Sequence, residues 1–126
     1  MPYFQHPLDV NWILRKKKSI KKDLLINDNL IDKNITILGG STTLEIKNIL
    51  EIFLLSNNIK PNFYESEYNK YYENSLFGSY ELDRFDPDII YIHTTNKNII
   101  KYSNIKDSFQ DVEDLLSNEI SIYKQI

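Results

Sequence analysis

The chain has 126 residues, 41% of them hydrophobic and 26% charged, which is enough apolar content for one small core and too little length for two. A net charge of −3 speaks against general nucleic-acid binding, which needs a net basic face to neutralise phosphates. No apolar stretch approaches the eighteen or so residues of a spanning helix, and the absence of cysteine excludes disulfides and thiolate metal sites. The opening MPYFQHPLDVNW lacks the basic region and apolar run of a secretion signal, so the expected setting is cytoplasmic, with neither membrane nor nucleic acid as a partner. Alanine is absent while Ile, Lys and Asn abound, so single Lys or Asn residues carry little functional signal.

Asp9 is a suitable N-cap for a helix over residues 10–26, with Val10, Leu14, Leu24 and Leu25 as its apolar positions. Six cations in eight positions, Arg15 to Lys18 with Lys21 and Lys22, read first as the solvated face of this helix and second as a contact for an anionic partner. Residues 34–38, β-branched and closed by Gly39-Gly40, predict a buried strand ending in a tight turn. Ser41, Thr42 or Thr43 can cap the helix that follows, whose apolar residues recur from Leu44 to Leu54.

A second strand is expected over residues 60–65, with Pro61 near its start. A tyrosine-rich helix over residues 68–77 follows and ends near Gly78. After Asp86-Pro87-Asp88 comes Ile89 to Ile92, apolar throughout as a central strand covered on both faces should be. A final helix runs from Ser108 to the last residue, with Phe109, Val112, Leu116, Ile120 and Tyr123 on one stripe. The alternation predicts an α/β protein of three layers, Rossmann-like, with a parallel sheet in the order 2-1-3. The expected organisation is a single domain over 1–126, a leading helix within 1–30 and an α/β core with the final helix over 31–126. Three strands make a thin sheet, so a partial domain is expected.

In this topology Gly39-Gly40-Ser41 and His93-Thr94-Thr95-Asn96 converge on the crevice at the carboxyl ends of the first and third strands, where open α/β sheets bind ligands. Amide groups of Ser41 to Thr43 at a helix N-terminus suit an anion or oxyanion. Ser41 is a candidate nucleophile or ligand-binding serine, or simply a cap. His93 is a candidate base of weaker standing, and Asn96 a candidate oxyanion donor, with Gly39, Gly40, Thr42, Thr94 and Thr95 as binding positions. Tyr64, Tyr68, Tyr71 and Tyr72 read as amphipathic packing residues before they read as a pocket lining. Asp83, Asp86 and Asp88 show no metal-ligand spacing, and neither a metal nor another cofactor is expected.

The segments GGSTT, FYESEYNKYY and PDIIYIHT, together with the leading ILRKKKSIKKDLL, resemble the N-terminal region of FkbH-like proteins. These belong to the haloacid-dehalogenase (HAD) superfamily, in its family IIIC phosphatase group. The resemblance implies an SGNH-hydrolase-like domain preceding a HAD domain. It also implies a role in passing a glyceryl or acyl unit to an acyl carrier protein in polyketide or surface-polysaccharide biosynthesis. Carried over by motif, it places Ser41 at the family's serine and Asn96 at its oxyanion asparagine. Two departures follow. Gly40 stands where the first motif has an aspartate, and no Asp-x-x-His supplies a base with its orienter. Asp86-Pro87-Asp88 precedes its strand rather than ending one, so the HAD signature is not expected in these residues either.

The resemblance therefore implies a domain inactive alone, partnered by a HAD domain or subunit and by a carrier protein. The alternatives are a free-standing adaptor docking on a separate HAD subunit, a Ser41-dependent esterase, and, because the sheet is unfinished, an association of the chain with itself.

Overall fold

A computed structural model describes residues 2–126. Asp9 starts the first helix, α1 (Val10–Leu24), by accepting the Trp12 amide hydrogen at 2.9 Å, which satisfies one of the orphan donors of the first turn. The buried face of α1 is Ile13, Ile20 and Leu24. Of the expected positions only Leu24 lies on it, and Val10, Leu14 and Leu25 are exposed. The reason is geometric. Residues 13, 20 and 24 fall within one narrow stripe at helical spacing, and α1 packs chiefly on the helix α2 (Leu44–Ser56). Ile52 and Leu55 of α2 complete that cluster, with Trp12 and Phe4 half-buried against it. Lys17 and Lys21 bridge the same two helices, to Glu45 at 3.0 Å and Glu51 at 2.8 Å. Two of the six clustered cations thus form ion pairs between the helices.

The sheet is parallel, with strands β1 (Ile31–Gly39), β2 (Ile59–Glu65) and β3 (Ile89–His93) in the order β2-β1-β3. The fold class and strand order are those expected. β1 is longer than predicted because Ile31 and Asp32 pair with Ile59 and Lys60 although both are exposed and the polar Asp32-Lys33-Asn34 separates Ile31 from the apolar run. From Ile35 to Gly40 the central strand and its turn are buried. In the middle lies Thr36, whose hydroxyl is fully buried and finds no hydrogen-bond partner. At the other end of the sheet Asp88 ties β3 to β1, pairing with Lys33 at 2.7 Å and accepting the Asn34 amide hydrogen at 2.8 Å.

β3 departs from expectation. Its apolar run suggests an interior strand, yet Ile89 and Ile90 are about half exposed, at 48% and 49%, and Tyr91 is also open. The order β2-β1-β3 puts it on the rim, with no fourth strand beyond it among the described residues.

The tyrosine-rich stretch is shorter than expected. Asn69 adopts φ +62°, which breaks any helix there, so α3 runs only from Tyr71 to Phe77. It stops at Gly78 with φ +67°, a conformation that favours glycine. A further short helix, α4 (Tyr80–Phe85), was not expected. Ser79 caps it by accepting the Leu82 amide hydrogen, and Asp86 ends it in the left-handed region.

The last helix, α5 (Phe109–Gln125), opens on a reciprocal cap in which Ser108 Oγ accepts the Asp111 amide hydrogen and Asp111 accepts that of Ser108. It is anchored through half-buried Leu115, Glu119 and Ile122. The Tyr72 hydroxyl also donates to Gln125 at 2.6 Å and the Ile100 amide to Glu119 at 3.2 Å. Of the apolar stripe read from the sequence, Phe109 and Leu116 stay open at 80% and 59% exposure, while Tyr123 turns towards Tyr71. Among the described residues no helix is long and apolar enough to cross a membrane.

Candidate functional site

All three strands run in the same direction, so their carboxyl ends share one rim. The chain leaves β1 through two glycines for different reasons. A Cβ on Gly39 would lie 2.9 Å from the Thr43 methyl and 3.0 Å from the Ser41 carbonyl, because the turn doubles back on itself. A Cβ on Gly40 would lie 2.5–2.6 Å from the side-chain amide of Asn98. That amide is fixed at both ends, donating to the Gly40 carbonyl at 2.7 Å and accepting from the Thr95 amide at 2.8 Å. The Gly40 amide in turn donates to the His93 carbonyl at 2.8 Å. These bonds clamp the turn after β1 to the turn after β3, the juxtaposition that the strand order predicts.

Ser41 is half-buried and lines a cleft of about 270 Å³ with Thr42, Thr43, Glu65, Ser66 and Tyr68. The helix that begins here is started by backbone geometry alone, since Thr43 occupies the N-cap position of α2 without a side-chain capping bond. Its hydroxyl donates instead to Glu65 at 2.8 Å. Lys47 pairs with the other oxygen of the same carboxylate. Partial burial of Glu65 pushes its pKa up, but the Lys47 ammonium and the Thr43 hydroxyl outweigh that and hold it below the usual carboxylate range. The cleft therefore has an ionised, doubly held carboxylate on one wall and the Ser41 side chain beside the free amide end of a 13-residue helix on the other. Such a site orients a polar or anionic group by hydrogen bonds.

The remaining candidates sit on the far side of the clamp. His93 is half-buried with its ring 6.3 Å from that of Tyr91 and nearly parallel to it; it does not line the cleft that holds Ser41. Thr94, Thr95 and Asn96 do not line it either. Asn96 is exposed, its carbonyl accepts the Tyr102 hydroxyl, and it begins a single 3-10 turn capped by Thr95. The asparagine that reaches Gly40 is Asn98. Sequence reasoning missed it, although the spacing Thr95-x-x-Asn98 is that of a reciprocal cap, which the structure forms. It also missed Glu65 and Lys47, whose only sequence signal was an acid closing an otherwise half-apolar strand.

A second concavity, about 260 Å³, opens on the same rim between Tyr71, Tyr72, Asn98, Glu119 and Tyr123. Burial pushes the Tyr71 phenol up to about 12, assisted by the Tyr123 hydroxyl beside it and by the neighbouring Glu119 charge. Among the described residues no group of three or more His, Asp or Glu side chains could hold a metal ion.

No protein-family model matches the chain, and no curated protein matches it. In fold it is similar to a crystal structure of the N-terminal part of the protein BF1531 from Bacteroides fragilis, which contains a phosphatase domain and is complexed with Mg. The match has a TM-score of 0.63 at 20% identity and covers 86% of this chain. The chain spans 29% of the length of that one.

Proposed function

We propose that this chain is an N-terminal α/β domain of the FkbH-like, HAD-associated kind, serving glyceryl or acyl transfer to a carrier protein and inactive as a hydrolase alone. The observation that carries the reading is the fold match along 86% of the chain to the N-terminal part of a protein that contains a phosphatase domain. The sequence resemblance in GGSTT and PDIIYIHT supports it independently. On this reading the Ser41 cleft holds the transferred unit by its hydroxyls and carboxyl or thioester oxygen. Ser41 then binds rather than attacks, since an unactivated serine needs a base within hydrogen-bond reach and the carboxylate that lines its cleft is already occupied by Thr43 and Lys47.

The test is to add the N-acetylcysteamine thioester of glycerate to the isotopically labelled chain. The amide resonances of Ser41, Thr42, Thr43 and Ser66 should shift, and no thioester should be hydrolysed above the background rate. Shifts elsewhere only, or thioester cleavage that disappears in Ser41→Ala, would overturn the reading.

A further inference from the structure

Glu65 is the last residue of β2, in register with Ile37 of β1, and its carboxylate forms part of the wall of the Ser41 cleft. Thr43, at the N-cap of α2, and Lys47, one turn further on, lie four residues apart and so share a face of the helix. That face meets the carboxylate. The Thr43 hydroxyl donates to one oxygen at 2.8 Å, and the Lys47 ammonium pairs with the other. Thr43 is buried, at 9% exposure, so the tie belongs to the packing of α2 on the sheet. A carboxylate has about four lone-pair sites, and these two bonds take two of them. The Glu65 side chain keeps 31% of its surface open, so the others remain within reach of a ligand.

Two properties follow. Held by an ammonium and a hydroxyl donor, the carboxylate stays ionised and weakly basic. It accepts a hydrogen bond without taking the proton. It also offers the cleft acceptors alone, because the donors bonded to it, Thr43 and Lys47, are spent on it. A ligand group touching it must bring its own hydrogen. A hydroxyl does so, whereas a methyl group or an ether oxygen does not. A site that bonds a ligand hydroxyl also discriminates against the analogue without it, since its own polar group is then left unpaired.

We propose that Glu65 is the specificity-determining residue of this cleft, accepting a hydroxyl hydrogen of the bound unit, and that Lys47 is its positioning residue, so that the site takes hydroxylated acyl units and disfavours plain aliphatic ones. This deepens the functional reading above and rests on it. The structural tie between Thr43, Glu65 and Lys47 then has a second task. It aims an acceptor into the cleft and keeps that acceptor from acting as a base.

The experiment titrates three N-acetylcysteamine thioesters into the isotopically labelled chain and follows the amide shifts. They are the glyceryl thioester, the propionyl thioester, which lacks both hydroxyls, and the 2,3-dimethoxypropionyl thioester, which keeps the oxygens and loses their hydrogens. The glyceryl thioester should bind at least about tenfold more tightly than either analogue, the effect of one hydrogen bond to a charged acceptor. In Glu65→Met and in Lys47→Met that preference should collapse towards equal affinity, and Lys47→Arg, which retains a cation, should restore most of it. The amide spectra report whether each variant is folded, and the comparison in the native chain needs no variant. Equal native-chain affinities for the glyceryl thioester and either analogue, or a preference unchanged in folded Glu65→Met, would overturn the inference and leave the reading of the cleft in place. A preference lost in Lys47→Met and not regained in Lys47→Arg would remove the role given to Lys47. Absence of shifts at Ser41 to Thr43 with the glyceryl thioester would overturn the inference and the reading together.

Discussion

The two residues on which the strand-end geometry turns are Gly40 and Asn98, and each explains the other. The Asn98 amide lies where a Cβ on residue 40 would be, and it is held by Gly40 and Thr95. Gly40→Ala should therefore destabilise the fold by about 1–3 kcal/mol through overpacking. Adding Asn98→Ala should recover part of that loss, so that denaturant titrations of the single and double variants are non-additive. Thr36 predicts the opposite sign. Its buried hydroxyl has no partner, and an unmatched polar group in a core costs free energy that an apolar group of similar shape does not. Thr36→Val should raise stability by about 1 kcal/mol, read as a higher denaturant midpoint at constant slope. Neither feature was legible in the sequence. Gly40 looked like a turn residue, and nothing adjacent to it announces that an asparagine 58 positions later fills its empty side. Thr36 looked like any β-branched strand residue.

At the level of elements, periodicity located what local pattern controls. Asp9 and Ser108 begin their helices where capping chemistry puts them, and the β-branched runs became strands in the expected parallel order. It failed where the deciding fact was a distant neighbour. Which stripe of α1 is buried depends on α2 being its partner, and which face of α5 is buried depends on Tyr72 and Ile100 reaching Gln125 and Glu119. The break at Asn69 is a backbone conformation with only weak sequence preference. Among the site candidates, Ser41 is placed in a cleft with neighbours no motif indicated, while His93 and Asn96 lie outside it. The packing of α5 on α3 has its own signature in titration. Tyr71 is raised to about 12 from an ordinary 10.0 by burial first and by Tyr123 and Glu119 next. Its neutral form is favoured by the fold, so the stability it contributes is complete below about pH 10 and is lost as the pH rises towards 12. Ultraviolet titration should show one late-ionising tyrosine that disappears in Tyr71→Phe, and Tyr123→Phe should bring that ionisation to lower pH.

For the whole molecule the acid limb of stability has a defined origin. Glu65 is held below the usual carboxylate range because Lys47 and Thr43 outweigh its burial, and Asp88 because Lys33 and the Asn34 amide bond it. Depressed folded-state values contribute stability that is present above the ordinary carboxylate pKa and fades as the pH falls through the lower folded ones. Glu65→Gln should flatten the dependence of the thermal midpoint on pH below about 4.5. The pairing pattern of β1 also has a kinetic consequence. It meets β2 over a short span of chain, Ile31 with Ile59, and β3 over about twice that span, Ile35 with Ile89, so closing the second loop costs more chain entropy before any contact rewards it. The unit of β1, α2 and β2 should then assemble first and serve as the template on which β3 docks late. Truncating Ile92 in β3 should chiefly accelerate unfolding in stopped-flow experiments, whereas truncating Ile52 or Leu55 in α2 should slow refolding.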